Sequence, residues 1–170
     1  MNPSKLSLIA LLPLALIGCA APADHYAVRI EPGLLGRVAP ELAQWSAHTD
    51  ATFDTMTSSA DCGTVHCFTV REVDTQAELS EGALGGACNG GGCTVRNPFD
   101  DSSEIRLWRG HWNRWTVLHE VGHALGLAHS GGYTVMQADY NIASPTITCA
   151  DETAYVRARG RTHFCSEVTP

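Results

Sequence analysis

Residues 119–130 read HEVGHALGLAHS and place three histidines, one glutamate and two glycines within twelve positions. His119 and His123 are four residues apart, so in a helix both rings lie on one face, one turn from each other. Glu120 is displaced from His119 by about 100° around such a helix and can reach the edge of the site without being a ligand. We interpret this H-E-x-x-H arrangement as a zinc site with Glu120 as the catalytic base.

Gly126 and His129 extend this motif to five fixed positions. Glycine tolerates positive φ, so the chain can turn sharply after the helix and bring His129 back toward the first two histidines. Three protein ligands leave one zinc position open to water, which is typical of a catalytic site. The alternative is an amphipathic helix with solvated histidines. A chance match at one start has odds on the order of one in three million if all residues are equally frequent.

The stretch resembles the zinc motif of the metzincin metalloendopeptidases, and Ser130 after it resembles the matrixin branch. Metzincins carry a Met-turn beyond the motif, and Met136 lies seven residues past His129. The resemblance implies that Met136 is an apolar floor beneath the zinc and not a ligand; an ordinary core methionine is the alternative. The resemblance to the metzincins is specific over residues 115–136 and looser from residue 25 onward. It implies an α+β fold: a small zincin domain with a twisted mixed sheet, an active-site helix and a C-terminal helix.

Two departures from the matrixin pattern concern latency and calcium. The sequence contains no segment like the propeptide motif PRCGxPD, and the structural zinc and calcium loops are not recognisable. Residues 97–101 (NPFDD) with Glu104 could bind calcium, but a turn with capping carboxylates is the favoured interpretation. Tyr140 lies near where some metzincins steady the transition state with a tyrosine, but its spacing does not support an assignment.

The first two dozen residues indicate export. Residues 6–17 are apolar, a stretch too short for a spanning helix, which needs about 20 residues, and of suitable length for a secretory signal. LIGC at residues 16–19 resembles the lipobox of bacterial lipoproteins, in which Cys19 would be lipidated. We therefore expect a signal peptide over 1–18, a tether over 19–24 and a catalytic domain over 25–170, in the cell envelope. The alternative is cleavage after residues 21–23 (APA) and secretion.

Six cysteines remain when Cys19 is set aside, an even number that favours three disulfides in an exported protein. Six cysteines allow 15 pairings, so pairing of sequence neighbours is a hypothesis. A thiolate zinc site would need short C-x-x-C pairs, which the sequence lacks. The neighbour pairs are Cys62–Cys67, Cys88–Cys93 and Cys149–Cys165.

The formal net charge of −7 and the presence of a single lysine argue against a nucleic-acid partner, because an acidic surface repels phosphates. The expected partner is a protein or peptide substrate, with membrane contact only through a lipid anchor and a monomeric state. His25, His48, His66, His111 and His163 show no ligand spacing. Trp108, Trp112 and Trp115 could line a groove, although core packing is the commoner use.

Hydrophobic periodicity and capping residues predict the order of elements. An extended substrate would pair with an edge strand. The sequence does not decide whether residues 82–87 or residues 104–109 supply this strand. The predicted elements are a strand over 25–31, a helix from 34 or 40 to about 53, a strand over 65–73, an irregular segment over 80–103, a strand over 104–109, a helix from the Asn113 cap to Gly126, and a last helix over 148–159.

These observations predict a zinc-dependent endopeptidase with one catalytic Zn²⁺. His119, His123 and His129 would hold the metal, and Glu120 would transfer protons. Two alternatives stay open. One is a non-catalytic surface module that binds metal or mediates adhesion. The other is a zinc amidase that acts on cell-wall peptides.

Overall fold

The structure is a computed structural model that describes residues 24–56, 66–83, 88, 90–97, 99, 102–138, 146–162 and 165. The predicted signal peptide, the predicted tether apart from Asp24, and Tyr140 lie outside these residues. No helix within the described ranges is long and apolar enough to cross a membrane.

The described chain forms a mixed five-stranded sheet with four α-helices. Neighbours in the sheet follow the order β2-β1-β3-β5-β4; β4 is antiparallel to β5, and the other pairs are parallel. This arrangement confirms the predicted α+β fold. The elements are β1 (His25–Ile30), a 3-10 turn (Pro32–Leu34), α1 (Leu35–His48), β2 (Thr52–Met56), β3 (His66–Val73), α2 (Gln76–Ser80), β4 (Gly92–Arg96), β5 (Ser103–Trp108), α3 (Arg114–Ala124) and α4 (Cys149–Ala158).

Helix α3 is held between the sheet and α1. Its start is fixed by a capping box, in which the Asn113 side chain accepts from the Thr116 N–H and the Thr116 hydroxyl accepts from the Asn113 N–H. The indole N–H of Trp45, fully buried in α1, donates to Leu118 O at 3.1 Å. Nearly every residue of α3 is buried, so core packing fixes the helix on all sides. The segment that carries the histidines is therefore rigidly placed.

The sequence-based prediction was wrong for two strands. Residues 92–96 fall in the segment predicted to be irregular, yet they form β4; pairing with β5, which glycine-rich sequence does not reveal, makes this strand. The first helix ends at His48 and not near residue 53, because the backbone of Thr49 is extended, with φ −137° and ψ 178°. Residues 52–56 then form β2, which extends the sheet beside β1.

The position of β4 also corrects the candidates for a substrate edge. Strand β5 lies between β3 and β4, so residues 104–109, one of the two candidates that the sequence left open, do not form the edge. Residues 84–87 of the other candidate lie outside the described residues. The edge on this side of the described sheet is β4.

Disulfides join Cys88 to Cys93 and Cys149 to Cys165, as the neighbour pairing predicts. Cys67 is also disulfide-bonded, and its predicted partner, Cys62, lies outside the described residues. The first bridge has a direct effect on the fold. Cys93 lies in β4, and its buried side chain packs in a small apolar cluster with Val73 and Leu79. The Cys88–Cys93 disulfide therefore ties the glycine-rich segment to the edge strand.

Asp24 connects the start of β1 to the region of α4. Its carboxylate accepts from the Tyr155 hydroxyl at 2.7 Å, from Arg161 at 3.1 Å and from the Arg159 guanidinium. Burial alone would raise the pKa of Asp24, but the hydrogen bond from Tyr155 and the two arginines outweigh it and hold the pKa below its ordinary value. The ionised carboxylate therefore stabilises the folded state.

We expect Asp24→Asn to lower the free energy of unfolding at pH 7 by about 2 kcal/mol, because it removes charge-assisted hydrogen bonds. The folded-state pKa is depressed, so this contribution is complete above about pH 5 and is lost as the pH falls through the folded-state pKa. The difference between wild type and variant should therefore narrow below about pH 4. Denaturant unfolding at pH 7 and pH 3 measures it. Asp54→Asn, at an exposed carboxylate, is the control, and an equal loss there would contradict the account.

Candidate metal centre

The three histidine rings of the motif converge on one point. Nε2 of His129 lies 3.2 Å from Nε2 of His119 and 3.1 Å from Nε2 of His123. The chain returns to the helix after Gly126, whose φ is 91°, a conformation that favours glycine. Among the described residues, these three form the one group of histidines, cysteines or carboxylates able to hold a metal ion.

Two main-chain carbonyls fix the orientation of the helix histidines. Nδ1 of His119 lies 2.8 Å from Val135 O, and Nδ1 of His123 lies 2.8 Å from Leu127 O. A carbonyl only accepts hydrogen bonds, so Nδ1 must carry the proton and donate. The lone pair is then on Nε2 of both rings and points toward the common centre, which is the usual outer-shell arrangement around a metal-binding histidine.

The dimensions of the cluster fit a zinc ion. Ligand nitrogens about 2.0–2.1 Å from a tetrahedral zinc are separated from one another by about 3.3–3.4 Å. The separations of 3.2 and 3.1 Å from His129 Nε2 to the other two Nε2 atoms are close to this value, and all three donor atoms lie within 4.8 Å of one another. Neutral imidazoles are also suitable donors for zinc. The residues present therefore fit the metal that the motif implies.

The electrostatics of the cluster favour neutral rings. Burial lowers the pKa of His119 to about 4, and the neighbouring His123 and His129 act in the same direction. Burial also lowers the pKa of His123, with a further contribution from His129. At neutral pH these imidazoles are therefore deprotonated, and a metal ion does not have to displace protons from them.

Glu120 lies beside the cluster and does not belong to it. Its side chain is buried, and Oε2 accepts from the Thr94 hydroxyl at 2.7 Å. Burial raises the pKa of Glu120 to about 7, against the opposing effect of the hydrogen bonds from Thr94. A buried carboxylate with a raised pKa next to a metal site is the kind of group that can exchange protons near neutral pH.

Met136 is buried directly against the backbone of α3. A Cβ placed on Gly122 would lie 2.2 Å from Met136 Sδ and 3.1 Å from the Trp45 ring. Gly122 lies between His119 and His123 in the helix, so the thioether fits only where the helix has no side chain. Met136 is thus placed as an apolar support for the helical segment that carries His119 and His123.

Asp151, at the start of α4, supports the same region from the other side. Its buried carboxylate accepts from the N–H groups of Val135 at 3.1 Å and Met136 at 3.3 Å, and from Thr148. Because Val135 O accepts from His119 Nδ1, the carboxylate fixes the turn that orients this ring. In the sequence analysis Asp151 falls only within the predicted last helix over residues 148–159, since a contact with a distant turn leaves no local pattern.

Sequence reasoning did not single out Thr94, Gly92 or Gly122. Thr94 and Gly92 lie in a strand that was not predicted, so no pattern pointed to them. Gly122 occupies one of the variable positions within H-E-x-x-H. A glycine inside a helix reduces helix propensity, and this is the one signal by which it could have been noticed.

Several other candidates lie away from the site. Among the described histidines outside the motif, His25 contacts Asp54, His48 contacts Glu152, and His111 stacks on Trp108. His66 lies on β3, and His163 is outside the described residues.

The calcium and groove hypotheses receive no support from the described contacts. The Glu104 carboxylate is already paired with Arg71 and Arg106. Trp112 and Trp115 are buried in the core, and the Trp112 indole N–H donates to Glu72 at 2.7 Å. Asp100 and Asp101 are outside the described residues.

The fold and the histidine cluster are those of a metal-dependent peptidase. A family model described as metallo-peptidase family M12B, reprolysin-like, matches residues 40–130, which is more than half of the chain. The chain therefore belongs to the reprolysin-like metallopeptidases, a finding that supports a metzincin-type zinc peptidase. It does not support the matrixin branch that Ser130 suggested. A comparison with curated proteins finds no match.

We expect Gly122→Ala to damage the site, because the new methyl would overlap Met136 Sδ. Overpacking of this kind costs about 1–3 kcal/mol of unfolding free energy, and metal affinity should fall because both neighbouring ligands shift. Thermal unfolding and zinc competition with a chromophoric chelator measure the two effects. Gly36→Ala in α1, where a Cβ would meet nothing within 4 Å, is the matched control. Equal behaviour of the two variants would contradict the placement of Met136.

Proposed function

We propose that the protein is a zinc-dependent endopeptidase that hydrolyses peptide bonds in protein or peptide substrates. The observation that carries this proposal is the convergence of three imidazoles beside a buried carboxylate that is not part of the cluster. The family match supports hydrolysis of peptides, and the chemistry of the donor set supports zinc.

His119, His123 and His129 would hold the ion through Nε2, in the orientations that Val135 O, Leu127 O and the Gly126 turn impose on them. When bound, zinc supplies a Lewis acid that lowers the pKa of a water molecule and polarises a carbonyl group. With His119, His123 and His129 as its ligands, the ion would keep a position for a water molecule or for the substrate carbonyl.

Glu120 would act as the general base and then as the general acid. Its carboxylate takes a proton from the attacking water and returns it to the departing amine when the peptide C–N bond breaks. Its burial supports this role, because a carboxylate kept from bulk water must exchange its proton with the bound reactants. A purely structural metal site has no need for such a group.

The free edge of β4 can bind an extended peptide. Trp108 N–H donates to Gly91 O at 2.8 Å, and Asn97 N–H donates to Ser102 O at 2.9 Å, so the odd-numbered residues face β5. In an antiparallel pair the alternate residues direct their main-chain groups outward. Gly92 and Arg96 therefore direct their N–H and C=O groups to the edge, and Thr94 directs its C=O there, because its N–H is bonded to the Glu120 carboxylate. A substrate strand added there lies beside Glu120, and β4 recognises it through main-chain hydrogen bonds.

The other candidate functions are outcomes of one test. A non-catalytic module would bind zinc without a requirement for Glu120. A cell-wall amidase would require Glu120 but would cleave peptide crosslinks in preference to proteins. Cleavage profiling on a denatured proteome and on purified cell-wall peptides, with mass-spectrometric detection, separates the three.

We expect Glu120→Gln to retain zinc and to reduce kcat by about 10²- to 10⁴-fold, because the amide cannot take the proton. Glu81→Gln, an exposed change at the end of α2, should leave kcat and zinc content unchanged. Zinc stoichiometry and peptide cleavage are measured on the same preparations. Cleavage at the wild-type rate by Glu120→Gln would rule out the proposed role, and zinc-loaded wild type that cleaves no peptide would rule out the enzyme.

We also propose that the protein is exported and anchored to the bacterial cell envelope by lipid on Cys19. The support is sequence alone: an apolar run of suitable length followed directly by Gly18 and Cys19. Each buried CH₂ contributes about 0.8 kcal/mol, so more than one acyl chain is needed for stable anchoring. Anchoring would restrict the enzyme to substrates near the envelope.

Cys19→Ala should release the protein from the membrane fraction, because the acceptor of the lipid is lost. Intact mass of the membrane-bound wild type should exceed that of a chain starting at residue 19 by the mass of the attached acyl groups. A wild-type protein found free in the medium, with its N-terminus after Ala23, would instead support the secreted alternative.

A further inference from the structure

We infer that Thr94 is a positioning residue that orients the Glu120 carboxylate for proton transfer, so that the substrate-edge strand and the catalytic base form one unit. This inference rests on the proposed function. It assigns a role to an edge-strand side chain that the histidine motif does not include.

The contact between the two side chains is short and enclosed. Thr94 Oγ1 lies 2.7 Å from Glu120 Oε2 and 2.9 Å from Glu120 O. A hydroxyl has one proton to donate, and an ionised carboxylate is the stronger acceptor of the two. The main-chain N–H of Thr94 also donates to the Glu120 carboxylate. Thr94 therefore determines where this buried oxygen points.

Gly92 restricts the same side chain from a second direction. A Cβ on Gly92 would lie 2.7 Å from Glu120 Cγ, 3.0 Å from Glu120 Oε1 and 2.6 Å from Thr116 Cγ2. The strand can approach α3 this closely only because residue 92 has no side chain. With the Gly92 backbone against Cγ and the Thr94 hydroxyl on Oε2, the carboxylate is confined on both sides.

Thr94 also belongs to the set of edge residues whose main-chain groups point outward. It is opposite Ile105 in β5, between the hydrogen-bonded pairs of the ladder. Its C=O is thus available to a substrate strand, while its hydroxyl and its N–H hold Glu120. Thr94 therefore links the register of the bound peptide to the position of the Glu120 carboxylate. A shift of the peptide or of the carboxylate would change the distance between the scissile carbonyl and the base.

The test compares Thr94→Val, which keeps the shape and loses the hydroxyl, with Thr94→Ser, which keeps the hydroxyl. Thr69→Val is the matched control: it removes a hydroxyl from β3 for which no hydrogen bond is recorded among the described residues. Each variant is assayed as the zinc-loaded full chain for kcat, KM, zinc content and thermal stability. Crystal structures of wild type and Thr94→Val give the position of Glu120 independently of activity.

We expect Thr94→Val to lower kcat by roughly 10- to 100-fold, the usual effect of losing an outer-shell partner, with KM and zinc content unchanged. Thr94→Ser should recover most of kcat, and Thr69→Val should match wild type. In the crystal structures the Glu120 carboxylate should move or lose its single position in Thr94→Val.

Unchanged kcat in Thr94→Val, or failure of Thr94→Ser to recover activity, would overturn the inference. If wild type itself cleaves no peptide, the proposed function fails, and the crystal structures still decide the role of Thr94. A Glu120 carboxylate at the same position in wild type and Thr94→Val would then overturn it.

Discussion

The whole site depends on the return of the chain at Gly126, which brings His129 within 3.2 Å of both helix histidines. A φ of 91° is strained for residues other than glycine, so this reversal depends on one residue type. Two further constraints make the convergence useful. The carbonyls of Val135 and Leu127 fix which nitrogen of each helix histidine faces the centre. The lone pairs of His119 and His123 are consequently directed at one point, which the Nε2 atom of His129 also approaches, before any metal binds.

The rest of the fold supports that point from three directions. The α1 helix packs against α3 through the Trp45 indole, the Met136 side chain fits against Gly122, and the Asp151 carboxylate fixes the turn at residues 135–136. Strand β4 closes the fourth side with Thr94 on Glu120. Preorganisation of this kind would place the proposed ligands and the proposed base without a large rearrangement on binding, as discrimination of a transition state from a ground state requires.

The local part of this arrangement could be predicted from the sequence. Spacing alone identified His119, His123, Glu120 and the turn at Gly126, because a helix converts spacing into direction. Nonlocal contacts could not be predicted. Strand β4 exists through its pairing with β5, and the roles of Thr94 and Asp151 depend on residues 26 and 16 positions away. The glycines and small polar residues of the segment that contains β4 show no clear apolar alternation, so the sequence of this segment is typical of a loop.

The most direct test of the account is the crystal structure of the zinc-loaded protein, with anomalous diffraction recorded on both sides of the zinc absorption edge. We predict one ion per chain, bound by Nε2 of His119, His123 and His129 at about 2.0–2.1 Å. We also predict that no protein group fills the remaining position and that Glu120 lies close without coordinating. An ion bound elsewhere, or a fourth protein ligand closing the coordination sphere, would contradict this prediction.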